Sequence, residues 1–211
     1  MTGIDVSHIQ GRIEWTAVAS AGHTFAYAKA TEGLTIADAH FQANWAGMKS
    51  ANLFRGAYHF FHPNDDAASQ ANHFLAVLTK ANGSAKLAPG DLPCALDVEV
   101  DGGATPAQLV NSIQTWLDAV QAATGRVPIL YTNRGFWDTA TAGTTQFAQY
   151  PLWVAEYEVP SPKMPSGWND YTIWQWSQSQ KLAEVGGLSV TADADTFNGA
   201  IADLEALAGG V

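Results

Sequence analysis

PCALDVEV, residues 93–100, decides how the rest of the chain is read. In an extended chain, residues two apart share a face. Ala95, Asp97 and Glu99 therefore fall on one face, and Cys94, Leu96, Val98 and Val100 on the other. The larger apolar side chains can pack on surrounding helices, which turns both carboxyls toward the interior or mouth of a closed sheet. Ionised carboxylates held close in a partly dry site repel, so at least one has a raised pKa. A general acid working near neutral pH needs that property. Asp-x-Glu alone is a weak signal, because a structural salt bridge or a metal site uses the same letters. The apolar strand around it favours a functional reading.

Outward from this stretch, seven more runs read as strands: GIDVS (3–7), FAYAKA (25–30), FRGAYHF (54–60), VPILYT (127–132), LWVAEY (152–157), YTIWQWS (171–177) and TADADTF (191–197). Their β-branched and aromatic content and their flanking Gly, Pro and Asn fit strand boundaries. Between the first five strands lie helical patterns at 15–21, 41–51, 66–80 and 107–123. The last is the clearest, with Leu109, Ile113, Trp116, Leu117 and Val120 on one stripe. Thr105 suits its N-cap, Pro106 its first position and Gly125 its end. A further short helix is expected within 135–149, and irregular connections after it. Strands alternating with helices imply a parallel sheet, and eight strands imply a closed barrel. At 211 residues, without an internal repeat or low-complexity linker, a single domain is expected.

In such barrels chemistry gathers at the C-terminal ends of the strands. Those ends carry Asp5, Lys29 with Glu32 beyond it, Tyr58 and His59, Asp97 and Glu99, Tyr131, Glu156, Gln175, and Asp193 with Asp195. Barrel closure returns the last strand beside the first, bringing Asp193 near Asp5. Four carboxylates around one cavity could also bind a divalent cation. The six histidines show no zinc-site spacing, and Gly-x-Ser-x-Gly is absent. Neither a metal nor a cofactor is expected.

Composition narrows the partners. Ten basic against twenty acidic residues give a net charge of −10. That disfavours nucleic acid, which needs basic side chains to neutralise its phosphates. It equally disfavours charge-driven adhesion to an anionic surface. No apolar run approaches the ~20 residues of a membrane span, and no secretory signal is visible at the N-terminus. Cys94 is the single cysteine, so an internal disulfide is excluded; on an apolar strand it packs as a small hydrophobe. A polymer gripped by this chain is held by shape, stacking and hydrogen bonds. Eight tryptophans and six tyrosines suit sugar faces, although much of that content is ordinary core.

At this point the residues resemble a known family. GIDVSHIQGRIEW looks like the opening motif of glycoside hydrolase family 25, and FAYAKATEG like its second. RGAYHFFHP, ALDVEV, PILYTN, PLWVAEY, TIWQWS and DADTFNG follow in the family's order, so the resemblance runs from Gly3 to Gly199. It implies a modified TIM-like α/β barrel of about five βα units followed by three further strands. It also implies a lysozyme, an N-acetylmuramidase cleaving the β-1,4 bond from N-acetylmuramic acid to N-acetylglucosamine in bacterial peptidoglycan. By the same resemblance Glu99 takes the role of catalytic acid, and Asp97 orients the acetamido group or assists water. Asp5 and Asp193 complete the catalytic set. Tyr58, Tyr131, Trp153 and Gln175 shape the sugar subsites, and Lys29, Glu32 and Asp195 are assigned with them to substrate binding. Asp195 stands where the family often has Asn, and Asn52 where Gly is usual; Asn tolerates the positive φ such a site requires.

One catalytic domain over 1–211 with no separate wall-binding module is expected, and a monomer; the resemblance implies action on the cell wall, outside the cell or as a released phage endolysin. Same-face residues on a strand are roughly 6.5–7 Å apart at the backbone. That is wide for direct attack by Asp97, and participation by the substrate's acetamido group is preferred, with retaining and inverting outcomes both open. The alternatives are a non-catalytic glycan-binding module, a barrel glycosidase acting on chitin-like polymers, and a metal-dependent hydrolase.

Overall fold

In the computed structural model, which describes residues 1–181 and 191–210, the two faces of ALDVEV separate as alternation requires. Ala95 packs in the barrel interior with Tyr27, Ile129 and Trp153, whereas Cys94, Leu96 and Val98 join the layer beneath the helices. The strand itself is short. β5 spans Ala95–Asp97, and Glu99 lies just past it. The Val98 amide still donates to Tyr131 O at 2.9 Å, but its carbonyl accepts the Thr132 hydroxyl at 2.8 Å. A side chain thus takes the place of the next backbone donor, and the ladder stops.

Five βα units come first: β1 (Thr2–Val6) with α1 (Trp15–Ser20), β2 (Phe25–Glu32) with α2 (Phe41–Ser50), β4 (Phe54–Phe60) with α3 (Ala67–Asn82), β5 with α4 (Pro106–Thr124), and β6 (Ile129–Thr132) with α5 (Arg134–Ala140). β7 (Leu152–Ala155), β8 (Ile173–Lys181) and β9 (Thr191–Phe197) follow. The sheet runs β1-β9-β8-β7-β6-β5-β4-β2, and the β1–β2 pairing closes eight strands into a barrel. Trp45, Phe74 and Trp116 fill the space between helices and strands, each at most 1 % exposed.

The helix termini follow local chemistry. Thr105 caps α4 in a reciprocal capping box with Gln108, Pro106 opens the helix, and Gly125 closes it at φ 78°. Asp66 caps α3 through the Ser69 amide, and Gly83 ends it at φ 79°. Asn52 adopts φ 58°, the left-handed backbone for which Asn substitutes for Gly.

Several features depart from the expectations. β9 runs antiparallel to both β1 and β8, so the barrel is not wholly parallel. β2 extends to Glu32 and turns back into a two-residue β3 (Ile36–Ala37). The short helix expected within 135–149 is present as α5, beginning one residue earlier, at Arg134. A helix absent from the sequence reading, α6 (Ile201–Leu207), places Leu204 and Ala208 in the inner core. Arg126 donates to Leu207 O at 3.0 Å and fastens that end. The last of the connections read as irregular lies in part outside the described residues. No helix among the described residues is long and apolar enough to cross a membrane.

Candidate active site

The strand register decides which polar residues meet. Asp5 pairs with Asp193 across β1 and β9, and Asp97 aligns with Tyr131 across β5 and β6. A cavity of about 300 Å³ opens there, lined among others by Asp5, Lys29, Tyr58, Asp97, Glu99 and Tyr131. Trp153, Gln175 and Asp193 also line it. Thus nine of the eleven side chains singled out in the sequence share one cavity, contributed by eight strands or their ends.

The other two lie elsewhere. Glu32 stands behind Lys29, its carboxylate 2.6 Å from Nζ and 3.1 Å from His62 Nε2. Those partners hold its pKa below the usual range against partial burial. Asp195 lies one pleat deeper, opposite Gly3, fully buried, and accepts the Trp153 indole N–H at 2.9 Å. The antiparallel direction of β9 causes this: its N-terminal residues reach the mouth, and Asp195 follows them downward. Trp153 carries both readings, buried against Tyr27 and Tyr131 at centroid distances of 4.8 and 5.1 Å while lining the cavity. His59, although beside Tyr58, points outward and stacks on Trp116 at 5.7 Å. Glu156 lies outside the cavity wall and accepts the Lys163 amide.

Gln175 organises the rim. Its amide N–H groups donate to Asp5 Oδ2 at 2.6 Å and Asp193 Oδ2 at 3.4 Å. Its Oε1 accepts the hydroxyls of Tyr131 at 2.9 Å and Tyr157 at 2.6 Å.

Burial raises every carboxyl of this group. Asp5 is pushed up to about 8, by burial first and then by Asp193's charge, against the hydrogen bond from Gln175. Asp193 is raised to about 6 by burial. Asp97 is driven well above the usual carboxylate range by burial, reinforced by Glu99 and opposed by Lys29. Its Oδ1 is buried and has no hydrogen-bond partner among the described residues. Glu99 stands exposed at the mouth, yet partial desolvation in the cleft raises it too, with Lys29 opposing and Asp193 adding. Burial, then Asp5, raises Asp195. Such a cluster holds protons at neutral pH and can exchange them with a bound molecule. Among the described residues, no group of three or more His, Cys, Asp or Glu side chains has the arrangement of a metal site.

Further wall residues escaped the sequence reading: Val6, Ser7, Ile9, Gln10, Phe60 and Gln178. A local signal existed for Ser7 and Gln10, whose spacing is that of a capping box. The box forms around the short 3₁₀ turn His8–Gln10. Its position at the mouth follows only from the closed barrel.

The profile of glycosyl hydrolases family 25 matches residues 4–185. Lysozyme M1 of Streptomyces globisporus is 38 % identical over 98 % of this chain and 70 % of its own length. The N,O-diacetylmuramidase of Chalaropsis sp is 34 % identical over 99 % of both chains. The crystal structure of a bacterial lysozyme from Streptomyces coelicolor superposes with a TM-score of 0.89 at 38 % identity, covering 99 % of this chain and 96 % of that one. The chain therefore belongs to glycosyl hydrolases family 25 and is a glycoside hydrolase of the lysozyme type.

Proposed function

We propose that this enzyme is an N-acetylmuramidase of bacterial peptidoglycan, with Glu99 as general acid and the substrate's own acetamido group as internal nucleophile. The observation that carries the reading is the pairing of Asp97 and Glu99 at the end of β5, both facing one cavity and both raised in pKa. The relatives named lysozyme and N,O-diacetylmuramidase support the substrate class.

In this mechanism Glu99 gives its proton to the glycosidic oxygen as the bond to the muramic acid C1 breaks. The acetamido carbonyl oxygen closes on C1 and forms a cyclic oxazolinium. Asp97, whose buried Oδ1 has no hydrogen-bond partner among the described residues, accepts the acetamido N–H and so orients the group for attack. Water then attacks C1 while the Glu99 carboxylate takes its proton, reopening the ring and restoring the acid. Asp193, raised only to about 6, is ionised at neutral pH and faces the developing charge, beside an Asp5 that keeps its proton there. Gln175 orients both of these carboxyls, and the rings of Tyr58, Tyr131 and Trp153 shape the wall against the sugar. Lys29, the cation of the wall, keeps the pair from rising further.

Two displacements at C1 return the original configuration. Proton NMR of peptidoglycan fragments during early digestion should show the β-anomer forming first. First formation of the α-anomer would overturn the assisted mechanism.

A further inference from the structure

Ile9 is 78 % exposed, more than the other large apolar side chains noted at the surface, such as Ile36 at 49 % and Val127 at 41 %. A single exposed apolar residue is ordinary on a protein surface. This one lies on the wall of the catalytic cavity, four residues after Asp5. It also sits on a turn that its neighbours hold rigidly. The Ser7 amide donates to Gln10 Oε1 at 2.8 Å, and the Ile9 amide to Ser7 Oγ at 3.2 Å. Asp38 accepts the His8 amide at 2.7 Å and lies 3.0 Å from the His8 ring nitrogen Nδ1. The turn's backbone donors are thus satisfied inside the protein, while its apolar side chain is left facing outward. A β-branched side chain on a braced backbone has few rotamers to lose when it is covered by a ligand.

The size of the cavity says what covers it. About 300 Å³ is at the small end of the range for ligand pockets. A glycan polymer seated there must continue over the rim, and Ile9 stands on that rim. We propose that Ile9 is a binding contact for the glycan strand. Its side chain packs on the apolar face and acetamido methyl of the N-acetylated sugar that leaves the cavity past β1. The inference rests on the muramidase reading and extends it from the reacting bond to the next sugar. Ile9 touches no reacting atom, so its contribution is to affinity.

The test is co-sedimentation with insoluble peptidoglycan, in a Glu99→Gln background so that the polymer survives. Adding Ile9→Ser should weaken binding about tenfold, equivalent to about 1.4 kcal/mol, with an unchanged melting temperature. Ile9→Leu in the same background should stay within about twofold, because it restores apolar area. Unchanged affinity of the Ser variant would overturn the proposal. Equal weakening by Leu would also overturn it, since the turn's conformation would then be responsible. Reducing ends released by the wild type are scored in parallel. Their presence with unaltered Ile9→Ser binding defeats the Ile9 contact alone, and their absence defeats the muramidase reading beneath it.

Discussion

Gln175 touches four side chains at once, and its amide dictates how they are arranged. It donates toward Asp5 and Asp193 and accepts from Tyr131 and Tyr157. Glutamate has nearly the same shape but donates only when protonated. Gln175→Glu should therefore keep the fold, lose tenfold to a hundredfold in kcat at neutral pH, and recover activity as pH falls. The size of the loss follows from the hydrogen bond toward Asp193, a charged acceptor at neutral pH, about 1.5–3 kcal/mol. A kcat–pH profile coinciding with that of the wild type would show that the amide's donation to the two carboxyls is unimportant.

Among the elements, β5 and α4 were readable and β9 only in part, for physical reasons. The alternation in ALDVEV assigns faces because one set of side chains is large and apolar and the other is acidic. Thr105, Pro106 and Gly125 mark the ends of α4 because each satisfies or omits a particular backbone hydrogen bond. In TADADTF barrel closure brought Asp193 to Asp5, and alternation places Asp195 on the same face as Asp193. Alternation carries no direction along the barrel axis, so the depth of Asp195 was invisible. Two-residue β3 is too short for any periodic signal, and its pairing with Thr31 and Glu32 depends on the turn between them. Helix α6 shows only Leu204 fully buried within seven residues, too few for a stripe. The mouth turn carried its capping signature in Ser7 and Gln10. Asp38, which braces that turn, comes from a distant point in the sequence and had no local mark. Family resemblance supplied the roles of Glu99 and the tyrosines; periodicity supplied only their faces.

At the scale of the whole molecule, closing the barrel concentrates acid in one place. Asp5 stands at about 8 in the folded chain against an ordinary 3.8. Between those values the folded chain holds a proton that the unfolded chain has released, so raising the pH favours unfolding. Asp97 and Asp195 act in the same direction, and Asp193 does so up to about 6. His59 opposes them. Burial lowers it from 6.5 to about 4, so its contribution to stability is gained as pH rises through that interval and is complete above it. The carboxyl effect is therefore least obscured between about pH 6.5 and 8. One proton is equivalent to about 1.4 kcal/mol per pH unit. Asp5 alone should lower the unfolding free energy from denaturant titration by about 2 kcal/mol over this interval, the other raised carboxyls adding to the fall, and the fall should be shallower in Asp5→Asn. A rise over the interval, or an undiminished slope in the variant, would refute the assignment.

If the carboxyl pair at the end of β5 performs muramidase chemistry, its products carry a defined reducing sugar. Mass spectrometry of the soluble products from purified peptidoglycan, for wild type and Glu99→Gln, reads that sugar. Disaccharide-peptides with reducing muramic acid ends are expected from the wild type, and their loss by orders of magnitude in a folded Glu99→Gln. Reducing N-acetylglucosamine ends, or equal yields from the two proteins, would contradict that chemistry.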